Sequence, residues 1–524
     1  MKRTVLRHGL GFGIFFMAVP SIQTAHADSL SSCQMITTGG SYSLSQNVAA
    51  SGTDTCFTIR ASDVTLDGNG HTITTSGGYA VDVQDPDPLA PQNWTNISVS
   101  NFTSNGDVRV YGDGVNHVTF DHLTVNSIGS LGGDDVTITN NTVGEGGIGV
   151  SNSDQETWFP FRNTVSHNTI AGGSTDVKTL LEVVGGKYDP CPRLDTVITD
   201  NVVTDTRNDP PPEGTAAVRI RCATHTTFTN NTVISTGTAM GLYMRDESDD
   251  GLYTDNLFRS HGAQPALHIS SGNVDKTLPS RNQFLRNVFY SDAVHATYLF
   301  GMGSGNQFTN NIFWSNGEDF LGYYGGNGGN TWDHNTFYSD GSDTWSFYFA
   351  GDLAAPIPAD TFTNNIFSYA SETSAIFHFD NWLKSQWAGD YNLFQNRSGT
   401  LSFGYYGTFA EWKANGGTDA HSFEADPLFT NPATGDFRLA SGSPAIGAAS
   451  DGSDIGASGA PDPNTPAPTG SGAAVDGGCA ATHSAGSLFL LLGCVLLGLS
   501  LRKFKMGTKV EESIQFQVVA FRPI

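Results

Sequence analysis

The stretch "VTITNNTV", residues 136–143, decides the fold because it returns along the chain. Alternating β-branched residues lead into a pair of asparagines, and a second β-branched run follows. Later forms are "TFTNNTV", "QFTNNIF", "TWDHNTF" and "TFTNNIF". Aligned on one asparagine, the pattern recurs with spacings of 24 to 33 residues at Asn141, Asn168, Asn201, Asn231, Asn256, Asn287, Asn311, Asn335, Asn365 and Asn392. Such a repeat predicts a solenoid of stacked coils.

The repeats are composed of strand-forming segments separated by turn-forming residues. Runs such as "VTI", "AVRI" and "ALHI" are short and rich in β-branched residues, and Gly, Asn and Asp lie between them. Between residues 28 and 448 only "TFAEWKAN" (408–415) has a helical period. We therefore expect an all-β fold with three short strands per coil and about fourteen coils stacked roughly 4.8 Å apart.

The recurring asparagines have a structural interpretation. Asparagine tolerates the left-handed backbone that a sharp bend requires. Its amide can also hydrogen-bond to the same residue in the next coil, as in the asparagine ladders of stacked sheets. We therefore predict that these residues form one column of the scaffold and are not catalytic.

With these repeats the chain resembles the right-handed parallel β-helix superfamily over roughly residues 53–394. "VTLDGNGHTI" (64–73) resembles a first full coil, and "DPLFTNPATGDFRLASGSPAIGAASDGSDIGA" (426–457) resembles a terminal module of secreted β-helix proteins, including some polysaccharide lyases. The resemblance implies a right-handed helix of coils in residues 28–409. Rod ends need caps, which we assign to "SCQMITTGGSYSLSQNV" (32–48) and to residues 410–457.

Both chain ends carry targeting patterns. A basic start, an apolar run and Ala25-His26-Ala27 predict a signal peptide over residues 1–27. Residues 458–484 form a Pro/Gly/Ser-rich linker, and residues 485–501 form an uncharged run near the short limit for a membrane span. The basic tail, 502–524, is expected in the cytoplasm. Together these segments resemble bacterial C-terminal sorting signals, so we expect export and cell-surface attachment through a sorting protease or through retention of the span.

The net charge of the chain limits its possible binding partners, and its cysteines bear on the redox environment in which it works. The chain has 26 Lys and Arg against 51 Asp and Glu, a net charge of −25, which argues against nucleic acid as a partner. An anionic polysaccharide would then require a local basic patch. In an exported chain, which we expect to be a monomer, neighbouring cysteines can be oxidised. We predict the bridges Cys33–Cys56 and Cys191–Cys222, with buried thiols as the alternative.

Alternation along three consecutive strands predicts a lateral site. If Val218, Ile220, Leu242, Met244, Leu267 and Ile269 point inward, the residues facing outward on adjacent coils are Arg219, Arg221, Tyr243, Arg245 and His268. Glu182 and Lys187 lie one coil earlier. Such groups suit β-elimination or epimerisation of a uronic acid, in which a cation neutralises the carboxylate and a base removes the C5 proton. The candidate catalytic residues are Arg219, Tyr243, Arg245 and His268, and the candidate calcium ligands are Asp246, Glu247, Asp249 and Asp250.

Later coils carry aromatic residues that we expect on the same outward surface. Exposed aromatic rings in a row can stack on sugars. Together with Lys187, the candidate substrate-binding residues are Tyr323, Tyr324, Trp345, His378 and Trp382. The sequence thus favours a surface-tethered β-helix protein that binds polysaccharide, either as a lyase or epimerase or, alternatively, as a non-catalytic adhesin or structural protein. Solvated outward charges and core aromatic residues would explain the same patterns without a site.

Overall fold

Three parallel β-ladders run the length of the described chain. The computed structural model describes residues 27–85, 92–152, 158–173, 179–186, 190–207, 215–262, 264–271, 277–292, 295–317, 321–324, 326–340, 347–350, 358–371, 376–379, 387–415 and 418–460. Within these residues each coil supplies one strand to each ladder, and strands pair with the equivalent strands of neighbouring coils. All of them belong to one compact unit, Met1–Gly472. This is the parallel β-helix expected from the repeat.

The first ladder precedes the asparagine corner. It forms a 15-stranded parallel sheet of Ala27–Leu30, Gly40–Leu44, Val64–Asp67, Trp94–Ser100, Val115–Asp121, Thr137–Thr139, Thr164–Ser166, Val197–Thr199, Thr227–Thr229, Leu252–Thr254, Gln283–Leu285, Gln307–Thr309, Thr331–Asp333, Asp360–Thr363 and Trp387–Asp390.

The second ladder follows the corner. Its strands are Val48–Ala49, Thr72–Thr74, Thr103–Ser104, Thr169–Gly172, Val202–Asp205, Thr232–Ser235, Leu257–Ser260, Val288–Ser291, Ile312–Ser315, Thr336–Ser339, Ile366–Tyr369, Leu393–Asn396 and Phe423–Glu424. Two long strands, Thr124–Leu131 and Thr142–Ser151, pass through this ladder and continue into the next.

The third ladder completes each coil and carries the predicted site. Its other strands are Gln34–Ile36, Phe57–Ile59, Tyr79–Gln84, Asp107–Tyr111, Thr179–Val184, Ala216–Arg221, Met240–Arg245, Leu267–Ser270, Thr297–Phe300, Leu321–Tyr324, Phe347–Ala350 and Phe377–Phe379. The segment that we expect to cap the N-terminal end contributes strands to the stack, since Gln34–Ile36 pairs with Phe57–Ile59 and Gly40–Leu44 pairs with Val64–Asp67. Its alternating apolar residues are sufficient to form a coil.

The asparagine column is confirmed. From Asn141 to Asn365, each predicted asparagine donates from Nδ2 to Oδ1 of the next, at 2.9–3.2 Å. The column ends where Asn392 donates to Asp419 Oδ1 at 3.3 Å. The backbone explanation was misplaced by one residue, because positive φ angles occur immediately before the column, at Asn140, His167, Asp200, Asn230, Asp255, Arg286, Asn310, His334, Asn364 and Tyr391. The column asparagines therefore recur for their amides.

A second, shorter amide column was not predicted. Asn282 donates to Asn306, and Asn306 to Asn330, at 3.1 and 3.0 Å. Asn330 then donates to the buried carboxylate of Asp360 at 3.2 Å. Burial raises the pKa of Asp360 to about 6. Buried amides thus hold two sides of the coils in register.

Aromatic residues fill the core of the later coils as two stacks. Along the first ladder the rings follow one another at 3.9–6.3 Å through Phe228, Tyr253, Phe284, Phe308, Trp332, Phe362 and Trp387. Along the second ladder the spacing is 4.8–5.3 Å through Phe258, Phe289, Phe313, Phe337, Phe367 and Phe394. Residues at equivalent positions overlap because strand register repeats at the sheet spacing.

The C-terminal end divides into a cap and a side strap. The one segment with a helical period forms the short helix Phe409–Ala414, which has a Thr408–Glu411 capping box and places Trp412 against Trp387 and Phe403. Residues 426–460, which we call the strap, contain one 3-10 turn, Pro432–Thr434, between the antiparallel strands Phe429–Asn431 and Asp436–Leu439. Another 3-10 turn, Gly404–Tyr406, precedes the helix.

The strap packs along the second ladder rather than across the rod end. Phe437 lies 5.6 Å from the Trp314 ring and 4.9 Å from the Tyr338 ring. Further along, Ser458 N donates to Asn310 Oδ1 at 3.1 Å. Within residues 410–457, which we expect to form the C-terminal cap, the strap thus covers outward apolar side chains of the second ladder.

Phe437→Ala should lower the free energy of unfolding by about 3 kcal/mol, because it removes a buried ring from the strap interface. Ile446→Ala, in the same strap but at a side chain that is 49% exposed, should change it by less than about 0.5 kcal/mol. Urea unfolding followed by circular dichroism would measure both. Equal effects of the two substitutions would contradict the docking of the strap.

Among the described residues no helix is long and apolar enough to cross a membrane. The predicted signal peptide lies outside those residues except for Ala27, and so do the spacer beyond residue 460, the apolar run 485–501 and the tail 502–524. Export, surface attachment and the cytoplasmic tail remain predictions.

Candidate functional site on the third ladder

The predicted alternation is confirmed on the three strands that carry the candidate site. The six residues expected inside are fully buried: Val218, Ile220, Leu242, Met244, Leu267 and Ile269. Strand pairing then aligns the outward residues in what we call the central column, made of Glu182, Arg219, Tyr243, His268 and Tyr298. Beside it runs a second column of Val184, Arg221, Arg245, Ser270 and Phe300. The two columns place charged and aromatic groups on adjacent coils of one surface.

The central column is continuous. Arg219 forms an ion pair with Glu182. The Tyr243 and His268 rings lie 4.9 Å apart, and the next ring, Tyr298, is 5.1 Å from His268. Tyr243 is only 6% exposed because its neighbours cover it, and its hydroxyl lies 3.0 Å from Ser270 Oγ. A ligand on this surface would therefore contact His268 and the edge of Tyr243.

His268 has the protonation state required of a base. Burial lowers its pKa to about 4, and the positive charge of Arg245 adds to this effect. The imidazole is therefore neutral at neutral pH and available to accept a proton. Burial also raises the pKa of the neighbouring Tyr298 hydroxyl, which stays protonated.

The columns hold a local surplus of positive charge. Arg219, Arg221 and Arg245 lie on two adjacent coils, and their carboxylate partners are Glu182 and Asp246. The three arginine side chains are each 18–19% exposed. This is the basic patch that an anionic polymer would need on a chain of net charge −25.

The four predicted calcium ligands do not gather around one point. Arg221 and Arg245 contact Asp246, and Arg281 contacts Asp249 and Asp250. Glu247 accepts a hydrogen bond from the backbone N–H of Cys191 at 2.9 Å. The described residues contain no group of three or more His, Cys, Asp or Glu side chains that could hold a metal ion. The guanidinium groups beside Asp246, Asp249 and Asp250 would repel a divalent cation, which argues against calcium binding at these residues.

The predicted substrate-binding residues have different outcomes. Tyr323 is in the core, 2% exposed, because its register partner is Leu299 and the preceding Gly322 takes the outward position. The assignment of Tyr323 to an exposed sugar platform is wrong. Pairing places His378 in backbone register with the central column through Tyr348. Lys187, Trp345 and Trp382, and the side chains of Tyr324 and His378, lie outside the described part of the structure.

Both expected disulfides are present. The sulfur atoms of Cys33 and Cys56 are 2.01 Å apart, and those of Cys191 and Cys222 are 2.04 Å apart. Cys222 directly follows Arg221, so the second bridge ties the end of a site strand to the segment that follows Thr179–Val184 on the preceding coil. The first bridge links the two earliest strands of the third ladder.

Sequence reasoning missed a network on earlier coils of the same ladder. The buried Asp82 binds Arg109 through two hydrogen bonds of 3.0 Å, and the guanidinium lies 4.0 Å from the Tyr79 ring. Gly129 and Gly149 separate this network from Glu182 in the column. The alternation in "YAVDVQ" and "DVRVY" was available as a signal, but those coils have no asparagine corner to fix the alignment.

Comparison with known proteins agrees with the fold. The family profile described as "Right handed beta helix region" matches residues 189–337. No curated protein matched the chain.

Solved structures that are similar to the chain include the mannuronan C-5 epimerase AlgE6 A-module of Azotobacter vinelandii, at 13% identity, a TM-score of 0.36, and coverage of 74% of this chain and 91% of that chain. Others are the periplasmic alginate epimerase AlgG (11%, 0.35, 69% and 77%) and a PL6 family polysaccharide lyase from Pseudopedobacter saltans (11%, 0.35, 81% and 96%). At this level of identity and TM-score, similarity to these structures does not indicate the activity of this chain. The family profile lies on coils that stack in register through the asparagine column, and the fold of the chain is a right-handed parallel β-helix.

Proposed function

We propose that this chain acts on a uronic-acid polysaccharide bound along the third ladder, as a lyase or an epimerase. The observation that carries the proposal is the central column, in which a neutral His268 lies between Tyr243 and Tyr298, and Arg245 lies on the adjacent strand beside Tyr243. A polysaccharide lying across the coils would meet these groups together. We further propose that the protein is exported and held at the bacterial surface.

The reaction begins with the acidic proton at C5 of the uronic acid. A guanidinium near the sugar carboxylate stabilises the negative charge that develops when that proton leaves. His268 Nδ1 or Nε2 accepts the proton, since the imidazole is uncharged. Expulsion of the C4 oxygen, which takes up a proton from solvent as it leaves, lets the C5 electron pair form the C4–C5 double bond of a lyase product. Return of a proton from solvent to the opposite face of C5 gives the epimer.

One observation favours the alternative of a non-catalytic surface protein. Glu182 already pairs with Arg219, and Asp246 with Arg221, so the outward charges are partly neutralised within the protein. Ion pairs of this kind also stabilise a sheet surface without any ligand. A rod with aromatic stacks and a docked strap would serve as a stalk.

Incubation in heavy water separates these functions. The full chain is mixed with polymannuronate, polyguluronate, polygalacturonate or glucuronan, and NMR measures deuterium at C5 while ultraviolet absorbance measures unsaturated uronate. Deuterium at C5 without absorbance indicates an epimerase. Absorbance indicates a lyase, because β-elimination leaves C5 in a double bond and without a hydrogen. Binding without either signal on any polymer would leave the non-catalytic function in place of the proposed one.

A further inference from the structure

We propose that Arg221 and Arg245 form a binding site for one carboxylate group of the polymer, and that the buried Asp246 is the positioning residue that holds them. The identification of the ligand as a uronic-acid polymer rests on the proposed function. The arrangement of the two arginines around Asp246 is independent of that function. The two arginines are register partners in the second column, on adjacent coils. The sequence predicted that a calcium ion held by four carboxylates would supply positive charge to the site. We propose that the two arginines supply it instead.

Asp246 is shared by the two arginines. Arg221 Nε donates to Asp246 Oδ2 at 2.9 Å, and Arg245 Nε lies 3.5 Å from the same oxygen. Asp246 is 1% exposed, and its Oδ1 has no hydrogen-bond partner among the described residues. A carboxylate is costly to bury, and this one is stabilised by the two guanidinium groups. Asp246 thereby fixes the positions of the Arg221 and Arg245 guanidinium groups.

The arginines retain donors for a ligand. Each guanidinium faces Asp246 through Nε, and within the described residues neither makes a hydrogen bond from its Nη atoms. Two guanidinium charges against one carboxylate leave a local charge of +1. Guanidinium groups bind carboxylates through paired N–H donors. A second, incoming carboxylate therefore fits the charge and the remaining donors.

The surrounding backbone holds this arrangement at the edge of the proposed catalytic groups. Arg245 lies 5.7 Å from the centre of the Tyr243 ring, and Tyr243 contacts His268. Asp246 adopts a φ of 56°, so the chain turns away directly after Arg245 and brings the carboxylate back beneath the arginines. The Cys191–Cys222 bridge fixes the residue after Arg221. A carboxylate bound here would lie next to the base.

Binding of matched polymers tests the arginine pair. Isothermal titration calorimetry compares a uronic-acid polymer with the same polymer after reduction of its carboxyl groups. Arg221→Gln and Arg245→Gln should each weaken binding of the carboxylated polymer about 10-fold and leave the reduced polymer unchanged. Arg281→Gln is the matched control, because Arg281 is ion-paired with Asp249 and Asp250 outside the two columns.

Salt dependence tests the positioning role of Asp246. Asp246→Asn adds a net positive charge but releases the shared anchor, so binding of the carboxylated polymer should persist at low salt and decline more steeply with added salt than in the unsubstituted protein. An equal salt dependence overturns the role of Asp246. Equal losses for both polymers in Arg221→Gln, or no carboxylate-dependent binding by the unsubstituted protein, overturn the site. Carboxylate-dependent binding with neither C5 exchange nor unsaturated uronate overturns the proposed function alone.

Discussion

Asn231→Ala should lower the free energy of unfolding by about 3 kcal/mol or more, because several buried groups lose their partners at once. The Nδ2 atom of Asn231 donates to the carbonyl oxygen of Ile198 at 3.0 Å and to Oδ1 of Asn256 at 3.2 Å. Its Oδ1 accepts from Nδ2 of Asn201 at 2.9 Å. Alanine leaves these donors and acceptors unsatisfied in a position that is 1% exposed. Urea unfolding measured by circular dichroism would give the change.

The adjacent residue provides the matched control. Asn230 is exposed and adopts a φ of 55°, so Asn230→Gly removes an amide and keeps a backbone that glycine accepts readily. Its expected effect is within about 1 kcal/mol. If Asn231→Ala were no more destabilising than Asn230→Gly, the amide column would not hold the coils together, and the repeated asparagines would need another explanation.

His268→Gln should reduce the rate of C5 proton exchange about 1,000-fold on the polymer that the unsubstituted protein exchanges, because it removes the proposed base. Polymer affinity should change little, since the arginines remain. NMR in heavy water gives the rate, and calorimetry gives the affinity. The control is His261→Gln, a partly exposed histidine paired with Asp292 on the second ladder, for which both values should stay unchanged.

The pH dependence gives an independent test of the same residue. With its pKa lowered to about 4, His268 is protonated only in acid, so exchange should persist from neutral pH down to about pH 5 and fall as pH approaches 4. Arg245→Gln removes a positive charge beside the imidazole, raises its pKa and should move the acid limb to higher pH. An acid limb at an ordinary histidine pKa in both proteins would show that the buried imidazole is not the base.

The sequence accounts well for the parts of the molecule in which local pattern and global packing agree. Every coil between Asn141 and Asn392 contains a column asparagine, so a single alignment fixed the corner and the alternation of the strands beyond it. That is why Leu242, Met244, Leu267 and Ile269 were placed correctly in the core, and why Arg219, Tyr243 and His268 fell into one column. The disulfide pairs followed from the proximity of the cysteines in a chain that we expected to be exported.

The predictions from sequence were wrong in two situations. In one, the inward–outward alternation of a strand begins at a different residue from the one assumed. In the other, the same acidic residues suit two different partners. A glycine at position 322 takes the outward position on its strand, so Tyr323 points into the core. In the sequence, the acidic residues within 246–250 are equally suited to bind calcium or to form ion pairs with arginines. The positions of Arg221, Arg245 and Arg281 in the structure show that they form ion pairs. Sequence spacing does not show which charges meet across coils.

By itself, the sequence determined that this protein is a stack of β-coils joined by a column of amides, because the repeat places the same buried hydrogen-bonding group at the same corner of each coil. Only the tertiary structure decided that the C-terminal strap lies along the second ladder and that Asp246 is shared by two arginines. Both depend on contacts between residues distant in the chain: Phe437 with Trp314, and Asp246 with Arg221. Such contacts are selected by the shape and charge of the folded surface, which a local pattern does not encode.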